Sequence, residues 1–168
     1  LARCVSAQMY YSLVGRDVEH EVVPLCQSQN VALLCWSPLA GGYLTGKYTR
    51  EQARHPAGSR FATSKFGEFP PVDKESVFQA VDKLSEIADR LGTTPAAVAL
   101  RWLLGRPAVT SVIVGVRRID QLEQNLAATT IELSRDDRTA LDELTAPPEQ
   151  YPNWMIQRQA RNREFPVS

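Results

Sequence analysis

Several things are scarce in this sequence, and each scarcity excludes something. Neither sign of charge prevails among its 168 residues, because nineteen Lys and Arg balance nineteen Asp and Glu. A nucleic acid or an anionic membrane surface draws on a net positive field, so neither is an expected partner. Long apolar runs are missing as well, and the longest fall far short of the ~20 residues that span a bilayer. Cysteine is sparse and odd in number, with Cys4, Cys26 and Cys35 at spacings that suit neither a metal motif nor a disulfide framework. Free thiols in a reducing cytoplasm are expected, with Cys4 and Cys35 buried in apolar, strand-like settings. His20 lies between Glu19 and Glu21 and reads as a solvated surface residue. Hydrophobic content of 43% with 23% charge is ordinary for a globular chain and leaves enough material for one real core. The sequence opens on Leu1 and runs at once into an apolar stretch, so a chain cut from something longer is expected.

What is present follows an alternating order. Val5–Tyr10 reads as a strand with Gln8 as its polar interruption. That carboxamide suits a satisfied edge position, or an amide-bearing ligand, since it donates and accepts at once. Val18, Val22, Leu25 and Cys26 fall on one side of a helix closed at Asn30, with Pro24 kinking it or marking its start. Val31–Leu34 is a short buried strand. A polar connector with Pro and Gly, Thr49–Pro71, is long for a structureless link and holds Arg60 in the run Gly58-Ser59-Arg60-Phe61. Arg60 is either a plain surface charge or an anion ligand on a loop over a site. Asp73 caps a helix through Val77, Ala80, Val81, Leu84, Ile87, Ala88 and Leu91 that stops at Gly92. Thr94-Pro95 opens the next, with Trp102 in its core stripe. Ser111–Val114 is the third strand. Ser134-Arg135-Asp136-Asp137 caps a last helix through Leu141 and Leu144, and Tyr151–Met155 starts a short helix packed on the body. Strand, helix, strand, helices, strand, helix is the pattern of parallel βαβ units.

Two loops carry chemistry. After the second strand come Trp36-Ser37-Pro38-Leu39-Ala40-Gly41-Gly42-Tyr43-Leu44-Thr45-Gly46-Lys47, a flat ring, a hydroxyl, a glycine pair and a cation in sequence. Such a loop is either an ordinary turn or a place where backbone amides and a cation hold a ligand. After the third strand come Gly115-Val116-Arg117-Arg118 and a helix on which Gln121, Gln124 and Asn125 share one face. That face is either solvated or adjoins an anion held at the helix N-terminus.

Together these segments resemble the C-terminal part of the aldo-keto reductases. The resemblance rests on Ser6–Arg16 with Glu19, Trp36–Lys47, Gly58-Ser59-Arg60, Thr94–Leu104, and Ser111–Arg117 running into Gln121-Leu122 and Asn125-Leu126. It is strongest toward the branch of aryl-alcohol dehydrogenases and potassium-channel β-subunits. It implies an α/β fold: residues 1–168 would form about three βα units, the C-terminal part, of a (β/α)8 TIM barrel lacking its N-terminal strands. It implies hydride transfer from NADPH to a small-molecule aldehyde or ketone. Gln8 would hold the nicotinamide carboxamide and Trp36 would stack on its ring. Ser37, Pro38, Leu39, Ala40, Gly41 and Lys47 would line the pyrophosphate of NADP(H), with Arg60 closing over it. Gly115, Arg117, Gln121, Gln124 and Asn125 would take the adenosine end, although relatives often carry glutamate where Gln124 stands. The family's catalytic Asp, Tyr, Lys and His match positions upstream of Leu1, so no catalytic residue is assigned in this chain. The alternative is a non-catalytic NADP(H)-binding regulatory module like the channel β-subunits.

Overall fold

The computed structural model describes residues 3–48, 50 and 67–160; Arg60 lies outside them. Three strands, β1 (Ser6–Tyr10), β2 (Ala32–Trp36) and β3 (Val109–Val112), form a parallel sheet in that order. Successive strands are joined through helix α1 (Val22–Gln29) and then through α2 (Lys74–Leu91) and α3 (Pro95–Leu104), with α4 (Ile119–Leu126), α5 (Arg135–Leu144) and α6 (Asn153–Ala160) following. The pairs Ser6↔Ala32, Gln8↔Leu34 and Tyr10↔Trp36 fix the first register. The second contains a bulge: Leu33 faces Val109 but Leu34 faces Ser111 and Cys35 faces Val112, so Thr110 is the extra residue.

Alternation gives the sheet two unlike faces. Leu33 and Cys35 are fully buried, and Ala7, Met9, Val109 and Val112 pack beside them against the helices. On the opposite face Ser6, Gln8 and Ser111 are exposed, with Leu34 and Trp36 half-buried. Parallel sheets are ordinarily covered on both sides; among the described residues this one is covered on one.

The helices begin and end where their caps dictate. Asp73 accepts from the Ser76 backbone N–H at 2.9 Å, and α2 stops at Gly92 with φ 63°. Thr94 accepts from Ala97 N–H at 3.2 Å and Pro95 takes the first helical position. Ser134 and Asp137 form a reciprocal capping box. Helix α3 is the hub of the helical layer, packing against α2, β3, α4 and the turn Ala40–Thr45. Trp102 on α3 is 2% exposed, as its place in the core stripe predicts.

Four local expectations are corrected. The stretch from Val18 is not one helix: Asp17–Glu19 is a 3-10 turn and α1 starts at Val22, with Pro24 in its first turn. This shift of phase buries Val23 and Cys26 and leaves Leu25 60% exposed. β3 begins at Val109, two residues before Ser111, and ends at Val112, because the bulge lets Val109 pair with Leu33. Cys4 is exposed and its thiol donates to the Ser6 carbonyl at 2.9 Å. His20 is half-buried; its Nδ1 lies 3.2 Å from the Asn153 amide nitrogen at the start of α6, so that helix does pack on the body.

Candidate functional site

Because the strands are parallel, the segments that follow β1, β2 and β3 all leave from the same end of the sheet. Trp36 is the last residue of β2, and Tyr10 is its register partner at the end of β1. Their rings meet with centroids 5.2 Å apart, tilted by 36°. Gly15 makes this possible: a Cβ there would sit 2.4 Å from the Tyr10 ring. Gln8 lies one same-face step below Tyr10, about 6.6 Å along the strand, level with Leu34 and exposed on the open face.

The loop after Trp36 folds into a tight, self-bonded turn. Ser37 (φ 50°) and Ala40 (φ 49°) both adopt left-handed backbone, a conformation that costs a residue with a Cβ about 1–2 kcal/mol. Such strain is typical of ligand loops, where the surrounding contacts over-determine it. Gly41 (φ 66°) and Gly42 (φ 103°) follow, and only glycine takes two such positions in a row at little cost. Ser37 Oγ accepts from Gly41 N–H at 3.1 Å, while its carbonyl accepts from Ala40 N–H at 2.9 Å. Pro38 is buried, and Leu39 packs both against the main core and against the smaller cluster of Ala97, Leu100 and Ala128. These two side chains therefore help shape the turn. Lys47 is exposed, its ammonium 5.0 Å from the Tyr48 ring centre and close enough to Gly42 that a Cβ there would come within 3.0 Å.

Beyond β3, the Ile113 N–H donates to the Cys35 carbonyl at 2.8 Å, which ties the start of the second loop to the end of β2. Gly115 is exposed and a Cβ there would meet nothing within 4 Å, so the packing of the chain itself does not require glycine. Arg117 is exposed; its backbone N–H donates to Gln121 Oε1 at 3.1 Å, which closes the first turn of α4. Arg118 is already engaged, holding Asp120 through two nitrogens at 2.9 and 2.7 Å. Gln124 is exposed and Asn125 half-buried on the same helix.

One neighbour of this end carries no signal in the sequence. Glu68 accepts from Tyr43 Oη at 2.8 Å and from Lys74 Nζ at 3.0 Å, and Phe69 beside it lies over Trp36. Burial, then the Glu68 carboxylate, push the Tyr43 hydroxyl well above its ordinary pKa, so it remains a donor.

Comparison with known proteins follows the same residues. The sequence profile described as the aldo/keto reductase family matches residues 1–146. The chain is 34% identical over 147 residues to the aldo-keto reductase dtxS3 of Metarhizium robertsii, covering 88% of this chain and 38% of that protein. It is 37% identical over 126 residues to a probable voltage-gated potassium channel subunit beta of Arabidopsis thaliana, with 74% and 38% covered. Among solved structures, the thermostable aldo-keto reductase Tm1743 in complex with the inhibitor epalrestat superposes with a TM-score of 0.59 at 26% identity, over 83% of this chain and 39% of that one. The chain thus spans about 40% of the length of these proteins. A match over residues 1–146, relatives of both the reductase and channel-subunit kinds, and a shared parallel α/β fold agree: the chain belongs to the aldo/keto reductase family.

Proposed function

We propose that the chain is the cofactor-holding portion of an NADP(H)-dependent aldo-keto reductase, an oxidoreductase that passes hydride to a small aldehyde or ketone in the cytoplasm. The observation that carries this reading is the convergence at one sheet end of an indole, a strained glycine turn with a lysine, and an arginine-led helix start. A nicotinamide needs a flat apolar face, which Trp36 offers, and an amide partner, which Gln8 offers from the open sheet face. The Ser37–Gly41 turn with Lys47 beyond it suits a pyrophosphate, since the lysine brings a cation and the glycine pair lets an anion approach the backbone closely. Gly115 leaves room for a ligand over the backbone, and Gln121, Gln124 and Asn125 offer amides to the adenosine. A 2′-phosphate is matched by a guanidinium, and Arg117, exposed at the start of α4, takes that role. Arg60 would close from the connector.

The residues that deliver the proton belong to strands outside this chain, which supplies the last three βα units of a (β/α)8 barrel. The uncovered sheet face and the exposed apolar residues Val5 (78%), Ile113 (43%) and Ile119 (73%) support such a remainder. In the intact protein, Arg117→Ala weakens NADPH by about 1.5–3 kcal/mol, the scale of a hydrogen bond to a charged group, and NADH much less. Equal losses for the two cofactors, measured by titration, refute the 2′-phosphate assignment. A second reading, a nucleotide-binding regulatory subunit without turnover, draws on the identity to the Arabidopsis channel subunit. Carbonyl reduction by the intact protein decides between them, and the chain alone is expected to reduce nothing.

A further inference from the structure

Trp36 already has two aromatic neighbours. Tyr10 leans against the ring at 36°. Phe69 lies almost parallel to it, 9° off, with centroids 5.8 Å apart. Near-parallel offset stacking is the arrangement that a nicotinamide ring would take on the same indole. Two rings cannot occupy one face, so the stack of Phe69 on Trp36 excludes the stack of a nicotinamide on that same face.

Phe69 is also held there by its neighbours. One residue before it, Glu68 is pinned by Tyr43 Oη and Lys74 Nζ. One residue after it, Pro70 is among the fully buried side chains. Phe69 itself is 50% exposed, so Trp36 takes part of its surface and solvent the rest. A side chain so placed can swing out by rotation about its own bonds while both anchors stay. We propose that Phe69 is an intramolecular stand-in for the nicotinamide ring: it covers Trp36 when the cofactor is absent and must leave the indole before the nicotinamide can stack. The proposal rests on the assignment of Trp36 to the nicotinamide. Its consequence is a competition within the chain that lowers apparent affinity for the nicotinamide half of the cofactor and leaves the adenosine half untouched.

Calorimetric titration of the intact protein with NADP+ and with adenosine 2′,5′-bisphosphate, which lacks the nicotinamide, separates these effects. Phe69→Ala is expected to tighten NADP+ about two- to tenfold, the worth of one aromatic pair, with bisphosphate affinity unchanged. Phe69→Trp, a larger stacking partner, is expected to weaken NADP+ and again spare the bisphosphate. Phe69→Leu keeps apolar bulk without a plane and should follow the alanine variant. Weaker NADP+ binding to Phe69→Ala makes the ring a wall of the cofactor site and overturns the proposal. Unchanged NADP+ binding, or equal changes for the two ligands, overturns it too. Trp36→Ala tests the underlying assignment separately: if it leaves NADP+ affinity unaltered, the nicotinamide does not stack on Trp36 and the fault lies there.

Discussion

Substituting Arg16 by methionine tests the polar network that ties the β1 loop to α3 and α5. The Arg16 side chain is 7% exposed. Its Nε and Nη2 donate to the two oxygens of Glu19 at 2.9 and 3.0 Å, and Nη1 donates to the Asp142 carbonyl and Thr145 Oγ1 at 2.9 and 3.0 Å. Its guanidinium carbon also lies 5.2 Å from the Trp102 ring, and that of Arg106 lies 4.8 Å from the same ring. The indole nitrogen donates to Asp142 Oδ1 at 2.9 Å. Methionine keeps much of the stem volume and removes every one of the Arg16 bonds. Breaking a buried pair from one side costs about 3–5 kcal/mol, because the abandoned charge stays buried. Glu19 keeps Tyr11 at 2.5 Å and Arg106 at 3.4 Å and is 18% exposed, which places the loss near the lower end, about 3 kcal/mol. With a urea slope of about 2 kcal/mol/M, the unfolding midpoint falls by roughly 1.5 M. Acid adds a second readout. Burial alone would raise the Glu19 carboxyl, but bonds from Arg16 and Tyr11 and the nearby guanidinium charges outweigh it and hold the group below its ordinary 4.5. A depressed carboxylate contributes stability that is fully present above the unfolded value and fades as pH falls through the folded one. Wild type should therefore lose stability progressively below about pH 5, and Arg16→Met should show a shallower acid slope. A loss under 1 kcal/mol with an unaltered acid slope would refute the reasoning and put Arg16 among ordinary surface ion pairs.

Other outcomes are sharper locally. Gly42→Ala places a Cβ at φ 103° and within 3.0 Å of Lys47 Nζ, so about 1–2 kcal/mol of stability should go, and NADP+ affinity should fall with the displaced lysine. Unchanged urea midpoints would show that the turn relaxes without strain. Thiol titration with an aromatic disulfide at neutral pH should find Cys4 fast and Cys26 and Cys35 slow. The latter two are buried, and burial pushes the Cys35 thiol up to about 11. Rapid reaction of more than one thiol before unfolding contradicts that picture.

Much of the fold was legible because its punctuation is local. Asp73, Gly92, Thr94-Pro95 and Ser134 act within four residues of themselves, and each stands where the sequence places it. The ends of the strands were less legible, because pairing across the sheet sets them: nothing near Val109 announces that Leu33 will reach it. The phase of α1 escaped for a related reason. A 3-10 turn advances by three residues, so a helical wheel drawn from Val18 points Leu25 inward when it faces solvent. In the site, Gln8, Trp36 and the loops were visible by residue type. The partners Tyr10, Phe69 and Glu68 were not, since each meets Trp36 or Tyr43 through folding alone.

The bulge at Thr110 gives the chain a parity. Up to Val109 the alternation of β3 matches Leu33; one extra residue later, Ser111 shares the open face with Leu34 and Val112 the helix face with Cys35. Deleting Thr110 would leave Val109 opposite Leu33, Ser111 opposite Leu34 and Val112 opposite Cys35 in an unbroken ladder, and the segment from Ile113 to Arg117 would leave the sheet in its present phase. A one-residue deletion at the bulge is therefore absorbed within the ladder, whereas a one-residue insertion or deletion beyond Val112 shifts the phase of the second loop. The aim of the second loop is therefore set by the pairing of Val112 with Cys35, apart from the number of residues between Val109 and Ser111.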